Sequence, residues 1–147
     1  MITDSARTVV AGESSEEAES LLSVTLAALT AGVKAVKPGN RVSDVGRAIE
    51  AVVPKGYGIV EDLAGHGVGY AVHEPPNIPN FVMKGESPRF VPGMVVAIEP
   101  MITTGGKHVV FDTEDGYTVY TADGSLGAHM EHTVLVTKHG HEVLTKR

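Results

Sequence analysis

The sequence predicts a single α+β domain in which two helices cover one face of a curved antiparallel sheet. Three observations support this prediction. The chain has 147 residues, which is about the length of one domain with one core. Helical periodicity of apolar residues is confined to about residues 15–52, and short β-like runs separated by Gly and Pro follow from Tyr57 onward.

The first helix is predicted over about residues 15–36, where apolar residues recur at three- and four-residue spacings. Ser14 followed by Glu17 has the form of a capping box at its start. Lys37 and Pro38 end it, because Pro cannot continue a helix. The apolar positions are Leu21, Leu22, Val24, Leu26, Leu29, Val33 and Val36.

A second, shorter helix is predicted from Ser43, which has the side chain of a typical N-cap, to the residues before Pro54. Val45, Ile49 and Val52 form its apolar stripe. We expect the two helices to form an antiparallel pair.

The strands are predicted from short runs rich in β-branched and aromatic residues. The Asp115-Gly116 dipeptide between two of these runs predicts a hairpin turn. The predicted runs are residues 59–61, 95–98, 109–111, 118–120 and 133–136.

Composition excludes several classes of function. Twelve Lys and Arg against 18 Asp and Glu give a net charge of -6, which argues against nucleic acid as a partner. The absence of Cys excludes disulfides and thiolate metal sites, so a metal would be bound by His and carboxylates. No apolar run approaches the roughly 20 residues of a membrane span and no signal peptide is evident, so a cytoplasmic location with no membrane contact is expected.

The segment GHGVGYAVHEPP contains two candidate functional histidines, His66 and His73. Their odd separation places them on opposite faces of an ideal strand, so they can serve one cleft only if the segment bends. Gly67 and Gly69 permit such a bend. The alternative is a glycine-rich loop with two surface histidines.

Glu99 follows the apolar run of residues 95–98, in a strand predicted to continue to residue 101. A carboxylate on the buried face of such a strand is costly unless it is paired or bound to a metal. The alternative is an edge strand with Glu99 facing water, since Pro100 is typical of an edge.

Glu131 also lies inside a predicted strand, where it shares a face with His129 while His132 points the other way. Asp4 begins another β-prone run, at residues 3–10, and by itself is equally consistent with a solvated terminal residue. With His66 and Glu99, these carboxylates would make an oxygen-rich site suited to Mn, Fe(II), Co or Zn. Spacing along the chain leaves open whether the four segments converge.

Four stretches resemble one family. TDSARTV, GHGVGYAVHEPP, PGMVVAIEPM and DGYTVYTADGSLGAHMEHTVLVT, in this order, are similar to the C-terminal portion of the type I methionine aminopeptidases. The resemblance extends from about Ile2 to Thr145. It implies the pita-bread (creatinase/aminopeptidase-like) metallopeptidase fold in an incomplete form, and metal-dependent removal of the N-terminal methionine from proteins and peptides.

The resemblance also implies residue roles. Glu99 would take and return a proton as metal-activated water attacks the peptide carbonyl, and His73 would contact the substrate and stabilise the oxyanion. Val72 and Tyr117 would line the substrate pocket, at positions where many members have Phe and Trp. Glu131 would bridge two metals. The implied metal ligands are Asp4, His66, Glu99 and Glu131.

The chain departs from the family at its start. A further ligand Asp of the family would fall ahead of Met1, together with the family's N-terminal half. We therefore expect residues 1–147 to form one truncated catalytic domain. It should bind about one equivalent of divalent metal, act weakly or not at all when alone on the N-termini of nascent proteins and peptides, and self-associate through the uncovered half-domain surface.

Two other functions remain open. GHGVGYAVHEPP would also suit an X-Pro peptidase of the same fold, but such enzymes usually have Arg and Asp where this chain has His129 and His132. The other is an inactive truncated half or a non-catalytic pita-bread binding module, although such a module would not need to retain the ligand residues.

Overall fold

The computed structural model describes residues 2–85 and 87–146. The domain prediction of residues 1–147 therefore includes Met1, Glu86 and Arg147, which lie outside the described residues. Helices α1 (Glu16–Ala35) and α2 (Val42–Glu50) come first in the chain. The strands that follow are β1 (Gly58–Ile59), β2 (Gly65–Gly67), β3 (Glu74–Ile78), β4 (Val95–Ile98), β5 (Met101–Thr103), β6 (Val109–Phe111), β7 (Val119–Thr121), β8 (Gly127–His129), β9 (His132–Val136) and β10 (His141–Val143).

Helix α1 has nearly its predicted length but a different cap. The Ala18 N–H donates to Ser15 Oγ at 3.1 Å, and Ser15 has an extended backbone immediately before the first helical residue. The prediction of Ser14 as cap is therefore wrong by one residue, because the hydroxyl that reaches the free N–H is that of Ser15. The buried residues of α1 pack on α2 and on strands β4, β5, β8 and β9. They are Leu21, Thr25, Ala28, Leu29, Gly32 and Val33.

The prediction that no apolar run approaches the length of a membrane span also needs correction. By length and composition, α1 is the one helix among the described residues that could cross a membrane. The same properties suit a core helix, and the packing of α1 against α2 and the strands is that of a core helix.

Helix α2 begins with Arg41 as N-cap, and the prediction of Ser43 is wrong. The Arg41 N–H donates to the Asp44 carboxylate at 2.7 Å, while Ser43 already lies inside the helix. Helix α2 ends at Glu50, so Val52 lies outside it and is exposed. The early end is consistent with Pro54, since the residue before a proline is disfavoured in the helical conformation.

The strands form antiparallel sheets, which confirms the predicted α+β class with two helices on antiparallel sheet. Five strands are ordered β10-β9-β4-β2-β3, three are ordered β1-β5-β8, and β6 pairs with β7. The runs at 95–98 and 109–111 match β4 and β6, whereas the other predicted runs differ from their strands by one or two residues. The β6–β7 hairpin is confirmed, with Gly116 at a positive φ of 65° in its turn.

The two candidate glutamates lie where the chain crosses from one sheet to another. Strand β4 ends at Ile98 and β5 begins at Met101 in the three-stranded sheet, so the predicted continuous strand of residues 95–101 is wrong. Strands β8 and β9 cross in the same way around Glu131, which is therefore outside a strand as well. Ile98 pairs with His132 and Met101 with His129, which leaves Glu99 and Glu131 facing the gap between the sheets.

Candidate metal centre

His66 lies at the centre of β2 with glycine on both sides. A Cβ on Gly65 would collide with the Ala97 carbonyl oxygen, and a Cβ on Gly67 would collide with that of Pro75. Strand β2 also carries a register shift between these two glycines where it pairs with β3. The glycines therefore let two neighbouring strands approach closely enough to bury His66.

The hydrogen bond at His66 Nδ1 determines the role of its other nitrogen. Nδ1 lies 3.0 Å from the Gly67 carbonyl oxygen, which can only accept, so Nδ1 donates. In the neutral ring, Nε2 then presents a lone pair, and it lies 3.2 Å from Glu99 Oε1. A lone pair facing a carboxylate oxygen requires a proton or a cation between them. Fixing a ring through its second nitrogen is typical of metal-bound histidines.

Glu99 is buried between two histidines. Its Oε2 lies 3.2 Å from His129 Nε2, on the side opposite to the His66 contact of Oε1. Its backbone carbonyl accepts a hydrogen bond from Asn80 Nδ2 at 3.2 Å, which supports the crossing between the sheets. The burial of Glu99 does not agree with the alternative of an edge-strand glutamate facing water.

Asp4 is brought to the centre by the N-terminal segment, which runs along the crossing between β8 and β9. The Asp4 N–H donates to Thr133 Oγ1 at 2.8 Å, and Thr133 Oγ1 donates to the Asp4 carbonyl at 2.6 Å. The Glu131 N–H donates to the Ala6 carbonyl at 2.9 Å. The β-prone run predicted at residues 3–10 is therefore not a regular strand. It makes a single bridge, between Arg7 and Met130.

Glu131 is the most constrained carboxylate of the group. It is 4% exposed, and its Oε1 has no hydrogen-bond partner among the described residues. Burial, together with the neighbouring Glu99 and Asp4 carboxylates, raises the pKa of Glu131 to about 7, although His129 acts to lower it. An unpartnered buried carboxylate beside other carboxylates is a group that a cation would stabilise.

Two sets of side chains could each hold a metal ion. Asp4, His66 and Glu131 form one set, and Glu99, His129 and Glu131 form the other. Within each set the ligand atoms lie within 4.8 Å of one another. Hard oxygen donors with imidazole fit a divalent ion such as Mn, Fe(II), Co or Zn. The structure therefore brings together all four residues for which the resemblance implied a ligand role.

His129 belongs to one of these two sets, although the sequence analysis did not consider it as a ligand. The sequence placed it on the same face as Glu131 but assigned no ligand role to it. The signal was its position two residues before Glu131, because residues two apart share a face in extended chain. His132 points elsewhere, with Nδ1 at 2.9 Å from Thr145 Oγ1.

His73 converges with His66 despite their odd separation. Their ring centroids are 4.3 Å apart in an edge-on arrangement. Glu74 shapes the bend, since its Oε1 accepts from the Ala71 N–H at 2.7 Å and its carboxylate lies against Gly69, where a Cβ would displace it. The segment therefore bends so that the rings meet, and the alternative of two unrelated surface histidines does not describe it.

A cleft of about 740 Å³ opens beside the metal centre. Its polar lining includes His73, Glu99 and His129. Tyr117 lies on its rim and is highly exposed, whereas Val72 is partly exposed and is not among the lining residues. The apolar wall consists of Val60, Leu63, Ala64, Met101, Ile102, Val109, Val119, Tyr120 and Ala128.

Comparisons of sequence and of structure both find methionine aminopeptidases among the proteins similar to this chain. The chain is 52% identical over 147 residues to a methionine aminopeptidase of Treponema pallidum, which covers 99% of this chain and 57% of that protein. It resembles the crystal structure of methionine aminopeptidase from Thermotoga maritima with a TM-score of 0.92 and 43% identity, over 99% of this chain and 58% of that one. A prolidase from Pyrococcus furiosus matches with a TM-score of 0.73 and 29% identity, over 99% of this chain and 37% of that one.

These relatives are longer than the chain, which spans little more than half the length of the curated relatives above. Residues 1–138 match metallopeptidase family M24, and this match includes every residue of the two candidate ligand sets. The chain therefore belongs to metallopeptidase family M24 and has its pita-bread fold.

Proposed function

We propose that the chain carries the metal-dependent chemistry of a methionine aminopeptidase, the removal of an N-terminal methionine from proteins and peptides. The observation that carries this proposal is the convergence of Asp4, His66, Glu99 and Glu131 from four separate segments. They meet around Glu131 Oε1, which has no hydrogen-bond partner within residues 2–85 and 87–146. Relatives named methionine aminopeptidase, 39–52% identical along nearly the whole chain, support the assignment.

A bound divalent ion would supply Lewis-acid activation of water and of the peptide carbonyl. Glu99 lines the cleft with one carboxylate oxygen toward each of two histidines, so it can accept a proton from the attacking water and return it to the leaving amine. His73 lies beside His66 at the same cleft and can donate a hydrogen bond to the developing oxyanion.

The apolar wall of the cleft suits an unbranched apolar side chain such as methionine. Met101, Tyr117 and Tyr120 supply flexible or aromatic contact surface beside the polar residues. We assign Tyr117 and Val72 to the substrate side, with Val72 near the bend that carries His73. The substrates would be the N-termini of nascent proteins and of peptides in the cytoplasm.

An X-Pro peptidase is the second candidate, because the Pyrococcus furiosus prolidase has a related structure. Its lower TM-score favours the methionine aminopeptidase assignment over this one. His129 and His132 stand at the positions where X-Pro peptidases usually have Arg and Asp, which also favours methionine removal. Assays with Met-Ala-Ser and with an X-Pro dipeptide separate the two candidates.

The whole activity is proposed to need more of the pita-bread domain than these 147 residues. We expect the purified chain to cleave Met-Ala-Ser weakly or not at all, and to gain activity when the N-terminal half of a close relative is added. The reason is that the substrate must be held in an accurate position, since a misplacement of about 1 Å can cost on the order of a hundredfold in rate.

The gain should be absent with Glu99→Gln and with His66→Ala, whereas the exposed-residue variant Glu142→Gln should retain it. Full activity of the 147-residue chain alone, abolished by the same two variants, would show that this half is sufficient. Failure of the complemented pair to release methionine would reject the proposed function.

A further inference from the structure

We propose that Asn80 is a positioning residue for Glu99. Its side-chain amide holds the backbone carbonyl of Glu99 and thereby sets the direction of the Glu99 carboxylate at the metal centre. The inference rests on the proposed metal-dependent function. It gives a role to a buried polar residue that neither the sequence patterns nor the family resemblance singled out.

Asn80 is brought to Glu99 by the strand that pairs with the His66 strand. It lies two residues after Ile78, the last residue of β3, and Ile78 pairs with Gly65 of β2. On its other side, β2 pairs with β4, which ends one residue before Glu99. The amide therefore links the segment after β3 to the end of β4, the two strands that flank the strand of His66.

The backbone at the crossing from β4 to β5 has few hydrogen bonds of its own. Pro100 has no N–H, and it restricts Glu99 before it to an extended conformation. Asn80 Nδ2 donates to the Glu99 carbonyl at 3.2 Å, and the Met130 N–H donates to the Pro100 carbonyl at 3.4 Å. These two bonds hold the two residues of the crossing, and the bond from Asn80 acts directly on Glu99.

The cost of burying the amide favours a positional role over a stabilising one. Asn80 is 1% exposed, and its Oδ1 is shielded from solvent with no hydrogen-bond partner in the described part of the chain. A buried amide oxygen without a partner lowers stability. An apolar side chain of similar size would avoid this loss but could not donate to the Glu99 carbonyl.

The direction of the Glu99 carboxylate matters because its two oxygens face two different imidazoles. Oε1 lies 3.2 Å from His66 Nε2, and Oε2 lies 3.2 Å from His129 Nε2. Without the bond from Asn80, the Glu99 peptide group is free to rotate toward another donor, which redirects the carboxylate. Asn80 belongs to neither candidate ligand set, so it acts on a bound metal only through Glu99.

The competing explanation is that Asn80 only stabilises the fold. Asn80→Leu removes the donor at similar size, and Asn80→Ala removes it without adding volume. Asn80→His restores a donor, because imidazole Nδ1 is as many bonds from the backbone as the amide nitrogen of Asn. Thr25→Val is the matched control, since the buried Thr25 Oγ1 donates to the Leu21 carbonyl at 2.8 Å and Thr25 lies outside both ligand sets and the cleft.

The probe is Mn(II) alone, added to chelator-treated protein and followed by calorimetry. The visible absorption spectrum of the Co(II)-loaded chain reports coordination geometry, and thermal unfolding without metal reports stability. We expect Asn80→Leu and Asn80→Ala to lower Mn(II) affinity by roughly 10-fold or more and to change the Co(II) spectrum. Asn80→His should restore both, and Thr25→Val should leave both unchanged whatever its effect on the unfolding temperature.

Unchanged Mn(II) affinity and an unchanged Co(II) spectrum in Asn80→Leu and Asn80→Ala would overturn the inference and leave the proposed function standing. An equal loss of affinity in Thr25→Val would overturn it as well, because the loss would then follow from stability. No Mn(II) binding by the unmodified chain would reject the proposed metal-dependent function, and the role of Asn80 with it.

Discussion

Glu131 shows at the scale of one residue how the folded chain creates a need for a cation. The side chain is buried, one of its oxygens has no hydrogen-bond partner in the described part of the chain, and the carboxylates of Glu99 and Asp4 lie nearby. A carboxyl whose pKa is raised to about 7 costs stability when it ionises in the fold. This loss of stability is absent below 4.5, the pKa of the carboxyl in the unfolded chain. It grows as the pH rises from there to about 7 and is complete above that value.

Glu131→Gln should therefore stabilise the chelator-treated chain at pH 8 and leave its stability nearly unchanged at pH 4.5, because the native carboxyl is then protonated. The same variant should weaken Mn(II) binding by more than the roughly 10- to 100-fold that loss of an outer partner costs. Thermal unfolding at the two pH values and calorimetric titration measure these effects. Glu142→Gln is the control, and Mn(II) affinity unaffected by Glu131→Gln or Glu131→Ala would contradict the site as described.

At the scale of elements, the site depends on short segments whose exact backbone positions matter more than their length. Strand β2 places His66 between two sheet neighbours only because Gly65 and Gly67 carry no side chain. Helix α2 begins where the Asp44 carboxylate accepts from the Arg41 N–H. Both features can be tested without altering a candidate ligand.

Gly67→Ala should destabilise the chain by roughly 1–3 kcal/mol, the usual cost of forcing a methyl group into filled space. The new Cβ would meet the Pro75 and Glu74 carbonyl oxygens, which are backbone atoms of β3. Mn(II) affinity should fall as well, since His66 is the adjacent residue. Gly140→Ala, where open space surrounds the site of the Cβ, should be nearly neutral in the same denaturant titrations. Equal stabilities of the two variants would contradict the close approach of the strands.

Asp44→Ala should cost roughly 0.5–2 kcal/mol at pH 7, the usual range for loss of a helix cap. The hydrogen bond from the Arg41 backbone, followed by that from Arg47, lowers the pKa of Asp44 below 3.8. Its stabilising contribution is therefore present above pH 3.8 and is lost as pH falls through the lower folded value. The difference in unfolding temperature between the variant and the unmodified chain should shrink at pH 3. A difference that is the same at pH 3 and pH 7 would show that the charge of Asp44 has no role.

At the scale of the whole molecule, the β6–β7 hairpin exposes several large apolar side chains. Phe111, Tyr117 and Tyr120 of the β6–β7 hairpin are each more than half exposed. Exposed apolar surface that is contiguous is typical of surfaces that another part of a protein covers. The relatives are almost twice as long as the chain, which is consistent with such a cover.

Self-association of the 147-residue chain should accordingly increase with concentration and should be reduced by Phe111→Ser. Leu26→Ser, at a similarly exposed apolar residue of α1, should have little effect. Sedimentation velocity over a concentration series measures both variants. A monomer at every concentration, or equal effects of the two substitutions, would contradict an interface at the hairpin.

The sequence by itself determined much of the secondary structure, because that structure depends on local chemistry. The two helices, strands β4 and β6, and the β6–β7 hairpin follow from periodicity and turn residues that act over a few positions. Glu99 and Glu131 were also evident as candidates, because a charged residue next to an apolar run needs a partner wherever that run packs, whereas Asp4 was singled out only by the family resemblance. Caps were predicted less well, since a one-residue shift decides which side chain reaches a free N–H.

Only the tertiary structure decided which residues meet. Glu99 and Glu131 each lie in a chain crossing between two sheets, and that crossing depends on pairing between residues distant in sequence, such as Ile98 with His132. The N-terminal segment is held beside Glu131 because the Ala6 carbonyl accepts from the Glu131 N–H and the Asp4 N–H donates to Thr133 Oγ1, and no local pattern encodes these bonds. His129 joins the centre for the same reason. Periodicity reports which face of an element is buried, whereas the partners across that face are determined by long-range packing.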